Sequence, residues 1–112
     1  MIHRFLTQQW RAWKQSQNIH KPIINIEISK SALLINFRAL QSLAPQWQIA
    51  PVLKSNAYGH GLILIANILQ NEKDLPFFCV DSYFEAESIR NTGIKTPILI
   101  IGYTPTMTIQ KK

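Results

Sequence analysis

Three short apolar runs, Ile49–Leu53, Phe77–Val80 and Pro97–Ile101, constrain the fold of this 112-residue chain most strongly. Each is apolar at nearly every position rather than at alternate ones. A strand of that kind is buried on both faces, the usual condition of a parallel strand covered by helices. The segments between them carry helical patterns. Leu62–Leu69 is one such helix, and a second runs from about Ser82 to Asn91. Ser82 is placed to cap the second helix, with Glu85 three residues on to complete a capping box. Gly93 is placed to stop it as a left-handed residue. Strand and helix in alternation predict an α/β fold built on a parallel sheet. A flavodoxin-like fragment and the opening strands of a (β/α)8 barrel both satisfy this local pattern.

Upstream, Ile24-Asn25-Ile26-Glu27-Ile28 alternates apolar and polar residues, which predicts a half-buried strand. Ser29 then caps a helix whose apolar side is Ala32, Leu33, Ile35, Phe37, Leu40 and Leu43, and Ala44-Pro45 ends it. Residues 1–22 read as a separate basic arm. Ile2, Phe5, Leu6, Trp10 and Trp13 fall near helical spacing, and Arg4, Arg11, Lys14 and Lys21 meet no acid before Glu27. Such a stripe docks on its own protein, on a partner or on a membrane surface. The domain division expected is therefore an arm over 1–22 and an α/β domain over 23–112.

The formal charge of +6 is assigned to the arm and the basic C-terminal end. No zinc motif, RNA-binding aromatic motif or long Lys/Arg run accompanies it, so no nucleic-acid partner and no metal are expected. Cys79 is the only cysteine, which excludes an intrachain disulfide. Its apolar setting reads as a buried strand thiol, compatible with a cytoplasmic protein. No apolar run approaches the roughly 20 residues of a membrane span.

The residues able to carry chemistry cluster at one place, Val52-Leu53-Lys54-Ser55-Asn56-Ala57-Tyr58-Gly59-His60-Gly61. A lysine ends an apolar strand, and a glycine-rich turn follows. Imine formation needs a neutral amine, and apolar neighbours such as Ile49, Val52 and Leu53 favour the neutral form by desolvation. Gly59 and Gly61 permit backbone conformations closed to other residues. Tyr58 offers a phenol that can donate to a phosphate oxygen. His60 reads either as structural or as a support to groups that touch a ligand, with no proton-transfer role.

This segment resembles the pyridoxal 5'-phosphate lysine motif of the alanine racemase family, V-x-K-x-N/D-A-Y-G-H-G. The resemblance extends over about residues 24–105. Asn36 matches an asparagine of the family's first helix. Val80-Asp81-Ser82 with Glu85-Ala86 and Ile89-Arg90 is similar to its second strand and helix, and Gly93-Ile94 through Pro97–Gly102 to its third strand. The resemblance implies the N-terminal part of a (β/α)8 TIM barrel, about three βα units, preceded by the arm and a short strand. It implies that Lys54 is catalytic and holds the cofactor as a Schiff base, that Tyr58 contacts the phosphate, and that Val52 and Ile101 line the cofactor. The implied reaction is the interconversion of L- and D-alanine, which supplies D-alanine for peptidoglycan in the cytoplasm. The family works as a homodimer.

A two-base racemase also needs a second proton donor, an arginine facing the pyridine nitrogen and further phosphate ligands. By this resemblance those come from sequence beyond these 112 residues. The expectation is thus an N-terminal segment of a racemase. The alternative is a truncated non-catalytic remnant, or a split-gene half that needs a complementary chain. Tyr103, at the end of the third strand, is read as structural or solvent-facing. Two departures stand out: Pro51 inside the lysine strand removes a ladder donor, and Ser55 replaces the commoner alanine.

Overall fold

The computed structural model describes residues 24–105; the expected arm over 1–22 lies outside them. Helix α1 spans Lys30–Leu43. Ser29 caps it as expected, in an extended conformation, with its Oγ accepting from the Ala32 N–H at 3.3 Å. It stops at Ala44, since a residue before proline is pushed out of the helical region. The strand expected over Ile24–Ile28 does not form. Ile24 and Ile26 are exposed, and a strand exists only by pairing, which no described residue offers here.

The apolar side of α1 is also narrower than its sequence suggests. Phe37 is buried and Leu33 and Leu34 pack partly against the core, but Ile35, Leu40 and Leu43 remain largely exposed. Among the described residues the helix packs mainly on α2 (Leu62–Leu69), so a narrow line of its side chains reaches the core.

Strand β1 (Phe78–Val80) pairs in parallel with β2 (Ile98–Ile100), Phe78 opposite Ile98 and Val80 opposite Ile100. Val52 bridges in parallel to Cys79 on the other side of β1. Three parallel segments therefore lie side by side in chain order. Helix α2 lies between the first pair in sequence, and α3 (Tyr83–Asn91) between the second.

The lysine strand expected over Ile49–Leu53 shrinks to that single bridge, and Pro51 explains why. Cys79 N–H donates to the Pro51 carbonyl at 2.9 Å, and Leu53 N–H donates to the Cys79 carbonyl at 2.7 Å. The next ladder bond upstream would need an N–H on Pro51, which proline lacks.

One face of this sheet carries the core. Leu53, Phe78 and Val80 lie against Leu62, Ile65, Ala66 and Leu69 of α2, Ile89 of α3, and Ile94, all buried. Each large apolar side chain so buried contributes roughly 1.5–3 kcal/mol. The capping box of α3 forms in both halves, and Gly93 follows the helix with φ +87°.

Away from the core, α1 is tied to the loop after α2. Arg38 donates twice to the Glu72 carboxylate, Nε to Oε2 and Nη2 to Oε1, each at 2.8 Å. Gln41 Nε2 donates to the Lys73 carbonyl at 2.9 Å. The hydrogen bond from Arg38 holds the Glu72 carboxyl below the usual range against an opposing desolvation, and the Arg38 charge adds to it.

Two outcomes follow for stability. Ile89→Ala removes a fully buried side chain and lowers unfolding free energy by about 2–5 kcal/mol in denaturant titration. The Glu72 carboxyl is depressed in the folded state, so its contribution is present above the ordinary glutamate pKa of about 4.3 and is lost as pH falls through the lower folded value. Thermal midpoints measured from pH 6 down to pH 3 should therefore fall less steeply in Glu72→Gln than in the parent. Parallel curves would mean the pair contributes nothing.

Candidate active site

Successive residues of a strand point to opposite faces. With Val52 opposite Cys79 and Cys79 opposite Leu99, these three form a row on the face away from the helices. Two residues on from Leu99, Ile101 continues this row, its N–H donating to the Val80 carbonyl at 2.9 Å. Lys54 begins the turn at the carboxyl end of the first segment, where Leu53 has already left the extended conformation, with φ −109° and ψ 6°. This face is open. Val52 is 41% exposed, Leu99 47% and Ile101 50%. Lys54 is partly buried. Cys79 lies between Val52 and Leu99, and burial pushes its thiol pKa up, as an inert strand thiol requires. Of the residues singled out from the sequence, Val52 and Ile101 thus fall on one face, and Lys54 lies at the carboxyl end of the first segment.

The fourth, Tyr58, is set by what happens after Lys54. The chain makes one left-handed turn over Lys54–Tyr58. Ser55, Asn56, Ala57 and Tyr58 have φ of 54°, 55°, 52° and 55°. For L-residues this conformation costs roughly 1–2 kcal/mol each. Gly59 follows at φ 88° and Gly61 at φ 100°, where glycine carries no such cost. The turn carries Tyr58 to an exposed position, with 60% of its surface free.

Several contacts hold the turn. Ala57 is buried, and its N–H donates to the Leu53 carbonyl at 2.8 Å. The Asn56 carbonyl accepts from Gly59 and Gly61 N–H. Asn56 Oδ1 accepts from Leu62 N–H at 2.8 Å, which caps α2, whose own N-cap, Gly61, has no side chain to do so. His60 Nδ1 lies 2.8 Å from the Ala57 carbonyl and donates to it, which sets the ring tautomer. His60 is a brace of the turn, the structural one of the two roles read from the sequence.

The remaining contact comes from a different element. Glu85 Oε1 accepts from the Ser55 N–H at 2.8 Å, and Oε2 accepts from Asp81 N–H at 2.8 Å and Ser82 N–H at 3.3 Å. One carboxylate therefore joins the residue after the lysine to the end of β1 and the start of α3. Beside it, Gly102 N–H donates to the Asp81 carbonyl at 3.0 Å. A Cβ on Gly102 would overlap that carbonyl, so only glycine lets the two strand ends approach.

Glu85 was legible as a capping residue, but nothing local signals its bond to a residue 30 positions away. Asn56 had a signal, since asparagine is the non-glycine residue most at home in left-handed backbone. Tyr103 is 91% exposed. Asn36 stands apart from the lysine rim. It lines a mainly apolar cavity of about 550 Å³ between α1 and the edge of the lysine segment, with Phe37, Ile49 and His60 but without Lys54, Tyr58 or Ile101. Among the described residues no cluster of histidine, cysteine, aspartate and glutamate has the arrangement of a metal site.

The chain matches the family model "Alanine racemase, N-terminal domain" over residues 28–111. It is 39% identical over 85 residues to the alanine racemase of Carboxydothermus hydrogenoformans, covering 76% of this chain and 23% of that protein. It is 34% identical over 103 residues to the serine/alanine racemase of Enterococcus gallinarum, covering 89% of this chain and 14% of that protein. Among solved structures it is similar to alanine racemase from Oenococcus oeni, with TM-score 0.63 and 35% identity over 70% of this chain and 22% of that one. It is also similar to alanine racemase from Bacillus anthracis with bound L-Ala-P, with TM-score 0.66 and 30% identity over 76% of this chain and 23% of that one. The chain spans less than a quarter of the length of these relatives.

The cost of the left-handed turn is measurable at Asn56. Asn56→Ala loses the cap on Leu62 N–H and leaves alanine in a left-handed conformation, for an expected loss of about 1–3 kcal/mol in denaturant titration. Asn56→Gly loses the cap but not the conformational fit, so its loss should be smaller. Equal losses would place no strain at this residue.

Proposed function

This chain belongs to the alanine racemase family, and on that premise we propose that it carries the cofactor lysine, Lys54, of a pyridoxal-phosphate-dependent racemase acting on L- and D-alanine. The supporting observation is the placement of Lys54 just beyond the carboxyl end of a segment that pairs in parallel with β1, where α/β folds put their chemistry. The described residues, an α/β arrangement, are proposed to be the N-terminal part of a (β/α)8 barrel of about three βα units. The proposed division leaves residues 1–22 as an arm and 23–112 as the barrel segment.

The chemistry of the residues present fits the cofactor. Lys54 supplies the amine that takes its aldehyde carbon. Val52 and Ile101 offer exposed apolar surface on the same face for its ring. Tyr58 offers an exposed phenol to its phosphate. When bound, the cofactor withdraws electrons and makes the α-proton of an amino acid removable. Lys54 is proposed to move that proton on one face of the α-carbon. The opposite face needs its own donor, a role we assign to no described residue. The rest of the reading follows the family: a homodimer or a complementary chain, a cytoplasmic setting, and D-alanine supplied for peptidoglycan. No helix among the described residues is long and apolar enough to cross a membrane.

Treatment of the purified chain with pyridoxal 5'-phosphate, then borohydride, tests the assignment. The reduced adduct should map to Lys54 by peptide mass and disappear in Lys54→Ala. An adduct scattered over several lysines, or undiminished in Lys54→Ala, would contradict the role of Lys54.

A further inference from the structure

We propose that Glu85 is a positioning residue for Lys54: its carboxylate latches the strained turn after the lysine to the end of β1, and so sets where the lysine amine stands. The inference rests on the reading of Lys54 as the cofactor lysine, but the latch itself stands on geometry. Four consecutive left-handed residues do not hold themselves. The braces from Asn56 and His60 are local, each reaching no more than six residues along the chain. Among the described residues, the Glu85 bond to Ser55 N–H is the hydrogen bond that ties the turn to the far end of β1, alongside the packing of buried Ala57. That N–H belongs to the residue directly after Lys54, so its direction fixes the peptide plane on which the lysine ends.

The two carboxylate oxygens divide the task. Oε1 faces the turn, and Oε2 faces the N–H groups of Asp81 and Ser82. A glutamine at this position keeps the length but has one acceptor oxygen, and its amide would set a donor against one of these N–H groups. It can satisfy either side, not both. A role confined to capping α3 is separable, because Ser82 supplies the other half of the capping box through its own hydroxyl, 3.3 Å from Glu85 N–H. Ser82→Ala weakens the cap and leaves the bond to Ser55 in place.

Amide hydrogen exchange on the full 112-residue chain is the first test, since it needs no cofactor. In the parent, the Ser55 amide should be protected well beyond exposed loop amides; exchange as fast as those loops would overturn the latch. In Glu85→Gln it should exchange about ten-fold faster or more, the effect of losing a hydrogen bond to a charged acceptor. Ser82→Ala should leave it unchanged.

The second readout is the rate of Lys54 modification by pyridoxal 5'-phosphate with borohydride. It should fall several-fold in Glu85→Gln and stay at the parent rate in Ser82→Ala. Equal effects of the two variants on Lys54 would reduce Glu85 to a helix cap and overturn the proposal. If the parent is not labelled at Lys54, the cofactor reading fails, and Ser55 exchange still decides whether the latch exists. If Glu85→Gln does not fold, Ser55 protection in the parent and in Ser82→Ala decides it.

Discussion

The geometry around Lys54 depends on holding Ser55 to Tyr58 in a conformation that L-amino acids avoid. A right-handed continuation would carry the chain elsewhere and leave Tyr58 in another direction. The left-handed turn is tolerated because its polar groups are satisfied from several sides. Asn56 answers the helix that follows, His60 answers the turn's own carbonyl, and Glu85 answers from the first turn of α3. Small Ala57 fits the buried side of the turn. Conformational strain gathered beside a reactive side chain, and offset by its surroundings, is a recurring feature of functional sites.

The sheet separates structure from chemistry by its two faces. Leu53, Phe78 and Val80 turn toward the helices and vanish into the core. Their neighbours in sequence, Val52, Cys79 and the residues beyond, turn the other way. The period of two along a strand therefore decides which residues stabilise the fold and which meet a ligand. Val52 and Leu53 are adjacent in the chain yet serve opposite faces, one exposed and the other buried. A shift of register by one residue would exchange them.

Much of the fold was legible because its signals are local. The caps at Ser29 and Ser82, the stop at Gly93 and the span of Leu62–Leu69 all depend on residues within one helical turn. The strand at Ile24–Ile28 was not correctly read, because alternation states only that a segment could be half-buried; pairing needs a partner that the described residues do not supply. The lysine strand was read too long, although Pro51 carried the warning. In the site, Lys54, Val52 and Ile101 were named from resemblance; the parallel register puts Val52 on the same row as Cys79 and Leu99 and says nothing of the lysine side chain. The bond from Glu85 to Ser55 joins residues 30 apart, and no local pattern encodes it.

The sequence alone determined the α/β alternation, the helix ends and the identity of the lysine-bearing segment. These follow from apolar periodicity, from capping groups a few residues apart, and from an ordered run of ten residues. Tertiary structure decided the rest. It chose the left-handed course after Lys54, which local preference opposes, by supplying hydrogen-bond partners from α2 and α3. It required glycine at 102, where the end of β1 comes too close for any side chain. It also decided which face stays open, since burial depends on what the helices cover and not on how apolar a residue is.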